Sequence, residues 1–210
     1  KTETEMFVME NCIIDRVMEE LKNEMKGNEA FLSEGDFQYS FAKTVEKLGG
    51  SKVVIEYPYD LDGARRHADV SFVYDGKRYF VELKYKTRTA DKVCRFGEPA
   101  HLAYHAAESD SLYSFYSDME KMEGLTCNTE SSVAFCIFLT NNHSFWSAHN
   151  GVQNRKVSLE NESKTNNGNI NYSDKKELNV EHQYDIEWKN FMDNGSFKYL
   201  MIEIEPRTGK

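Results

Sequence analysis

Apolar and polar residues alternate along residues 66–86, RHADVSFVYDGKRYFVELKYK, on both sides of an Asp75-Gly76 pair. A two-residue Asp-Gly loop between alternating runs predicts a β-hairpin in a definite register. Tyr74 then faces Lys77, Phe72 faces Tyr79, and Asp69 faces Glu82. Lys84 shares the face of Glu82 and looks across the ladder at His67. Val70, Phe72, Tyr74, Tyr79, Val81, Leu83 and Tyr85 fall on the other face. One face is expected to pack and the other to hold charge.

The same reading extends to the rest of the chain. Residues 5–26 set Phe7, Cys12, Ile13, Val17 and Leu21 at helical spacing, a helix expected to end near Gly27. Ser33, with Asp36 three positions on, predicts the cap of a second helix that runs to Gly49-Gly50. On that helix Glu34, Gln38, Phe41, Val45 and Leu48 share a face, apolar at one end and polar at the other. Residues 52–59 read as a short buried strand and 61–66 as a loop. Residues 87–98 read as irregular and basic, and Pro99 as the start of a long helix ending near Gly124. VAFCIFLT, residues 133–140, is apolar throughout, as in a strand covered on both faces. Residues 153–183 read as an irregular polar insertion with at most a small hairpin, 184–192 as a short helix or turn around Trp188, and 197–205 as a last strand. One domain is expected, with a helical extension over 1–32, a core over 33–145, the insertion over 153–183 and a C-terminal helix and strand over 184–210.

Composition narrows the function classes. At 210 residues the chain can bury a substantial core. Cys12, Cys94, Cys127 and Cys136 are scattered without a C-x-x-C pair, so neither a zinc site nor a disulfide framework is indicated, and a reducing cytoplasm is expected. No apolar run approaches the roughly 18 residues of a membrane span, and no membrane partner is expected. A net charge of −9 argues against a general-purpose nucleic-acid binder. Between Arg65 and Arg95, however, nine basic residues outnumber four acidic ones, so the hairpin region is locally basic.

The candidate chemistry lies on the charged face of the hairpin. Glu-x-Lys alone means nothing, since it recurs at Glu20/Lys22, Glu24/Lys26, Glu162/Lys164 and Glu187/Lys189. What distinguishes Glu82 and Lys84 is Asp69 beside them in the register set by the turn. Adjacent carboxylates repel unless a cation lies between them, and a hard divalent ion, Mg2+ or Mn2+, suits oxygen ligands. An ammonium two positions on can orient or help deprotonate a water and can stabilise charge developing on a phosphate. That is machinery for hydrolysing a phosphodiester.

Asp69, a dozen residues, then Glu82-Leu83-Lys84 on the next strand, preceded by a helix offering Glu34, resembles the PD-(D/E)xK nuclease superfamily, also called restriction-endonuclease-like. The resemblance implies an α/β fold with an αβββαβ core, a central mixed sheet flanked by helices. It implies that Asp69 and Glu82 ligate the metal, that the Leu83 carbonyl completes the shell, that Lys84 acts on the water, and that Glu34 binds a second ion or a metal-bound water. DNA is the expected substrate, with RNA as the other. Some short nucleases of this kind cut both strands as homodimers. Arg66, His67, Lys86, Arg88, Arg95 and Gln38 are the candidate nucleic-acid contacts, with Arg65 beside them. Two departures are visible: Ala68, not proline, precedes Asp69, and no Gln-x-x-x-Tyr follows the lysine. The rival reading is a catalytically inactive nucleic-acid-binding or scaffold protein that retains the nuclease fold.

Overall fold

The computed structural model describes residues 12–105, 107–129, 131–147, 157–171 and 177–208. Helix α1, Ile13–Glu24, buries Ile13, Ile14, Val17, Met18 and Leu21 on one stripe; the expected start of this helix, with Phe7, lies outside the described residues. Helix α2, Glu34–Lys47, is capped as its sequence predicts, the Ser33 hydroxyl accepting from the Asp36 amide at 3.1 Å. It stops where the Gly50 amide turns back to the Val45 carbonyl.

Strands β1, Ser51–Leu61, β2, Ala64–Tyr74, and β3, Lys77–Lys86, follow as a meander. The Asp75-Gly76 turn forms and the register is the expected one from Tyr74↔Lys77 to Val70↔Val81. The ladder ends there, so Asp69 and Glu82, expected to face each other across it, are not ladder partners. β2 leaves β3 at Asp69 and continues on β1, so His67 lies opposite Pro58 and not opposite Lys84. Residues 61–66 are not a loop: Asp62-Gly63 is a second tight turn with both φ angles positive, 52° and 72°. Nor is β1 short and buried. It is the sheet's edge strand, exposed along most of its length, with a register shift between Ser51 and Val54 that makes it a poor template for further pairing.

After β3 the chain makes a separate hairpin of β4, Ala90–Arg95, and β5, Glu98–Leu102, turning at Phe96-Gly97. The helix expected from Pro99 therefore begins later, as α3, Glu108–Cys127. α3 carries the chain to β6, Ser132–Thr140, which pairs in parallel with β3 from Arg78↔Ser132 to Lys86↔Thr140. β6 is covered on both faces, as its unbroken apolar run requires. A 3-10 turn over His143–Phe145 follows. The remaining short strands are β7, Ser163–Lys164, β8, Gly168–Ile170, β9, Leu178–Val180, β10, Asp185–Ile186, and β11, Trp188–Asn190. Last comes β12, Lys198–Ile204, antiparallel to β6. The sheet order is β1-β2-β3-β6-β12-β11. Among the described residues this is an α/β protein with a six-stranded mixed sheet and three α-helices. None of those helices is long and apolar enough to cross a membrane.

Both faces of the sheet pack, which corrects the expectation of one packed and one charged face. α1 and α2 cover Val70, Phe72, Val81, Leu83, Ile137 and Leu139. α3 covers Phe80, Cys136, Phe138, Leu200 and Ile202. The described part of 153–183 does contain a small hairpin, β8–β9, and its few apolar residues, Val157, Leu159, Ile170, Leu178 and Val180, are buried against the α3 side. Glu123, fully buried on α3, fastens this segment by accepting from the Glu181 and His182 amides and the Tyr184 hydroxyl. Around Trp188 the expected helix or turn is instead β10 and β11, the indole donating to the Leu159 carbonyl at 2.6 Å.

Candidate functional site

The place where β2 parts from β3 is filled by side chains. Asp69 projects into the gap, and its Oδ2 accepts the Leu83 amide at 2.6 Å, a bond that a strand carbonyl would otherwise receive. From α2, Gln38 donates to the Asp69 carbonyl at 2.9 Å and to Glu56 on β1 at 3.0 Å. The face expected for α2 thus delivers Gln38 to the gap, while Phe41 and Val45 on the same stripe are buried beneath it. Glu34, one turn earlier, accepts the Tyr85 amide at 2.8 Å and lies 3.4 Å from the Lys86 ammonium. It stands at the C-terminal end of β3.

Glu82 and Lys84 point to the α3 side. Glu82 is 6% exposed, and its Oε1 is buried with no hydrogen-bond partner. Lys84 meets Asp118 of α3 at 3.1 Å, and Asp118 also takes Lys121 at 2.7 Å. Neither Asp118 nor Lys121 was anticipated from sequence. The signal was there: Asp118 interrupts the apolar stripe of Phe115, Met119 and Met122, and a charged residue inside such a stripe needs a buried partner. Tyr59 of β1 and Arg66 of β2 are cross-strand partners, and the Tyr59 hydroxyl and Arg66 Nε are also buried without partners. The Tyr59 hydroxyl feels the Glu82 charge, so three unpartnered polar atoms gather under α3.

The electrostatics follow from burial. Desolvation, with a smaller push from Asp118, raises Asp69 to about 6 against the pull of the Leu83 amide and Lys84. Desolvation also drives Glu82 well above the usual carboxylate range, helped by Asp118 and Asp69. Burial pushes Lys84 down, but Asp118, Glu34 and Asp69 together outweigh it and the net shift is upward. Lys84 is therefore held as a cation. Asp69, Glu82 and Asp118 set three carboxylates against the Lys84 and Lys121 ammonium groups, with the Arg66 guanidinium beside Tyr59.

The unpartnered Glu82 oxygen, with the Asp69 carboxylate near it, fits a hard cation held by Asp69 and Glu82, with solvent supplying further ligands. Among the described residues no three His, Cys, Asp or Glu side chains converge on one ion. Asp118 is already occupied by two lysines, and Glu34 accepts the Tyr85 amide and pairs with Lys86. Leu83 contributes its backbone here, its side chain being buried in the α1–α2 core.

The candidate nucleic-acid contacts divide. Arg66 faces the gap beside Tyr59; His67 is exposed on β2. Lys86 and Arg88 line the C-terminal end of β3, Arg88 with its amide on Asn141 and its guanidinium 3.4 Å from His143. Arg65 is exposed and lies 3.5 Å from Asp60. Arg95 does not join them: it is buried, bound to Asp36 at 2.7 Å and Ser40 at 2.8 Å, and sits over the Phe31 ring. Compared with family models, curated proteins and solved structures, the chain has no match.

Proposed function

We propose that this protein is a metal-dependent nuclease of the restriction-endonuclease-like class, acting on DNA. The observation that carries this is Glu82: a buried carboxylate with an unpartnered oxygen, beside Asp69 where two strands part, with Lys84 on the same face. The order α2, β1, β2, β3, α3, β6 supports the αβββαβ reading, with β4–β5 as an added hairpin. Asp69 and Glu82 would hold Mg2+ or Mn2+, and the carbonyl of Leu83, the residue between Glu82 and Lys84, would complete the shell. The ion supplies Lewis acidity at a phosphoryl oxygen and a more acidic water. Asp69 is fixed in place by the Leu83 amide and by Gln38. Lys84, fixed by Asp118 and kept protonated, acts as a hydrogen-bond donor and positive charge toward the phosphate and its attacking water, not as the base. Asp118 positions Lys84 through one carboxylate oxygen and holds Lys121 through the other.

One observation favours the rival, a protein that keeps the fold without turnover: Lys84 is already paired under α3, and Glu82 is almost wholly enclosed. The experiment is incubation with plasmid, linear and single-stranded DNA and with RNA, in magnesium, manganese or chelator, beside a Lys84→Ala variant. Cleavage that needs metal and disappears in the variant is the expected result. No cleavage of any substrate by the folded wild type decides for the rival.

A further inference from the structure

Among the described residues, three tight turns have positive φ at both central residues: Asp62-Gly63, Asp75-Gly76 and Phe96-Gly97. Two use aspartate at the first position, whose short side chain tolerates the left-handed region; the third uses phenylalanine, with φ 55°. Local conformation does not explain that choice, and neither does burial. The Phe96 ring is 81% exposed, more than any other large hydrophobic side chain among the described residues.

The ring is held out rigidly. The Glu29 carboxylate accepts both tip amides, Phe96 at 2.9 Å and Gly97 at 2.8 Å. Beneath the ring, the Arg95 guanidinium lies 4.1 Å from its centroid and is itself fixed by Asp36 and Ser40. At the base of the same hairpin Tyr104 is 57% exposed. Its two neighbours are tied to Thr87, Ala103 by a 2.8 Å bond and His105 by a 2.9 Å bond. Thr87 comes three residues after Lys84, so Tyr104 stands at the end of β3 beside Lys86. Tyr39, 60% exposed, lies on α2 between Gln38, which binds Asp69, and Ser40, which binds Arg95. These three are all the exposed aromatic side chains among the described residues, and all stand on segments around the C-terminal end of β3. Between them lie the exposed cations Arg88 and Lys92 and the exposed histidine His101. The acids there are Glu29 under the tip amides, Asp36 on Arg95, Glu34 beside Lys86, Asp91 paired with His101 at 2.6 Å, and Glu98.

We propose that Phe96, Tyr104 and Tyr39 form a stacking surface for the unpaired bases of single-stranded nucleic acid at the C-terminal end of β3. The stacking surface rests on the nuclease reading and narrows its substrate to a strand with accessible base faces. Every base offers a π-face and a duplex hides it, so rigid exposed rings interleaved with cations select single strands without reading sequence.

The test is fluorescence anisotropy of the full chain in chelator, with labelled oligodeoxyadenylate and a blunt duplex of equal length. The single strand should bind more tightly. Phe96→Ala and Tyr104→Ala should each weaken it roughly ten-fold, while Phe96→Trp and Tyr104→Phe preserve it. 2-Aminopurine placed in the strand should be quenched by wild type and not by the alanine variants. Equal affinity for strand and duplex, or alanine variants that are folded by circular dichroism and bind as wild type does, overturns the stacking surface. If metal-dependent cleavage is then still present, the nuclease reading stands without it; a stacking surface confirmed in a protein that cleaves nothing leaves that surface and removes the nuclease. Self-association abolished by Phe96→Ala, without preference for single strands, overturns the stacking surface in favour of an interface between copies.

Discussion

Asp69 illustrates how one buried carboxylate couples stability to ligand. Its folded-state value of about 6 lies above the usual aspartate value of about 4, so the fold retains a proton that the unfolded chain releases. Below about pH 4 both states are protonated and nothing is lost. As pH rises from about 4 to about 6 the unfolded chain ionises while the folded state still holds its proton, and stability falls by on the order of 3 kcal/mol, the loss being complete once Asp69 ionises in the fold. Glu82 is shifted in the same direction and adds to the loss. The expected thermal midpoint in chelator is therefore lower at pH 8 than at pH 5, by more in wild type than in an Asp69→Asn/Glu82→Gln variant. Magnesium should raise the wild-type midpoint more at pH 8 than at pH 5. A profile identical in the two proteins, with no magnesium effect, would contradict a shared cation site. Asp118 works in the other sense, because Asp118→Ala strands two half-buried lysines. Its expected cost is roughly 3–5 kcal/mol, measurable by denaturant unfolding, and Asp118→Asn should cost less.

At the scale of elements, what was legible depended on whether the local chemistry had one reading. Asp75-Gly76 between alternating runs has one, and so does Ser33 with Asp36; both appear where expected. Asp62-Gly63 carries the same hairpin signal, but the loop assignment around it obscured the long strand on either side. Phe96-Gly97 lacks the aspartate, and Pro99 followed by apolar residues resembles a helix start, so the β4–β5 hairpin was illegible. The site was half legible. Asp69, Glu82, Lys84, Glu34 and Gln38 are near neighbours in the hairpin and on one helical face, whereas Asp118 and Lys121 reach them only through the crossover that brings α3 over β3. The hairpin also separates stability from binding. Phe96→Asn puts a residue at ease with positive φ into the tip, so the midpoint should hold or rise by a degree or more while single-strand affinity falls. A clear fall in midpoint would make Phe96 a structural residue.

The whole molecule sets the scale of any nucleic-acid affinity. Its net charge of −9 opposes a polyanion, while the end of β3 offers Lys86, Arg88 and Lys92. With three phosphates neutralised, the logarithm of single-strand affinity should fall against the logarithm of salt with a slope of about −2. A much steeper slope would mean that basic residues outside this end of the sheet carry the binding. The two faces of the sheet share β3 and β6, so each strand contributes alternate residues to two separate cores. The charged cluster is enclosed on the α3 side by apolar packing around Phe115, Met119 and Phe138, which keeps its dielectric low and its charges strongly coupled.

Where β2 leaves β3, the Leu83 amide is donated to the Asp69 carboxylate and not to another strand. Its proton chemical shift thus reports the charge on the cluster, moving as Asp69 gains or loses a proton and again when an ion takes that proton's place. In a nitrogen-15 spectrum the backbone of Leu83 is an internal gauge of the site, readable before any substrate has been found.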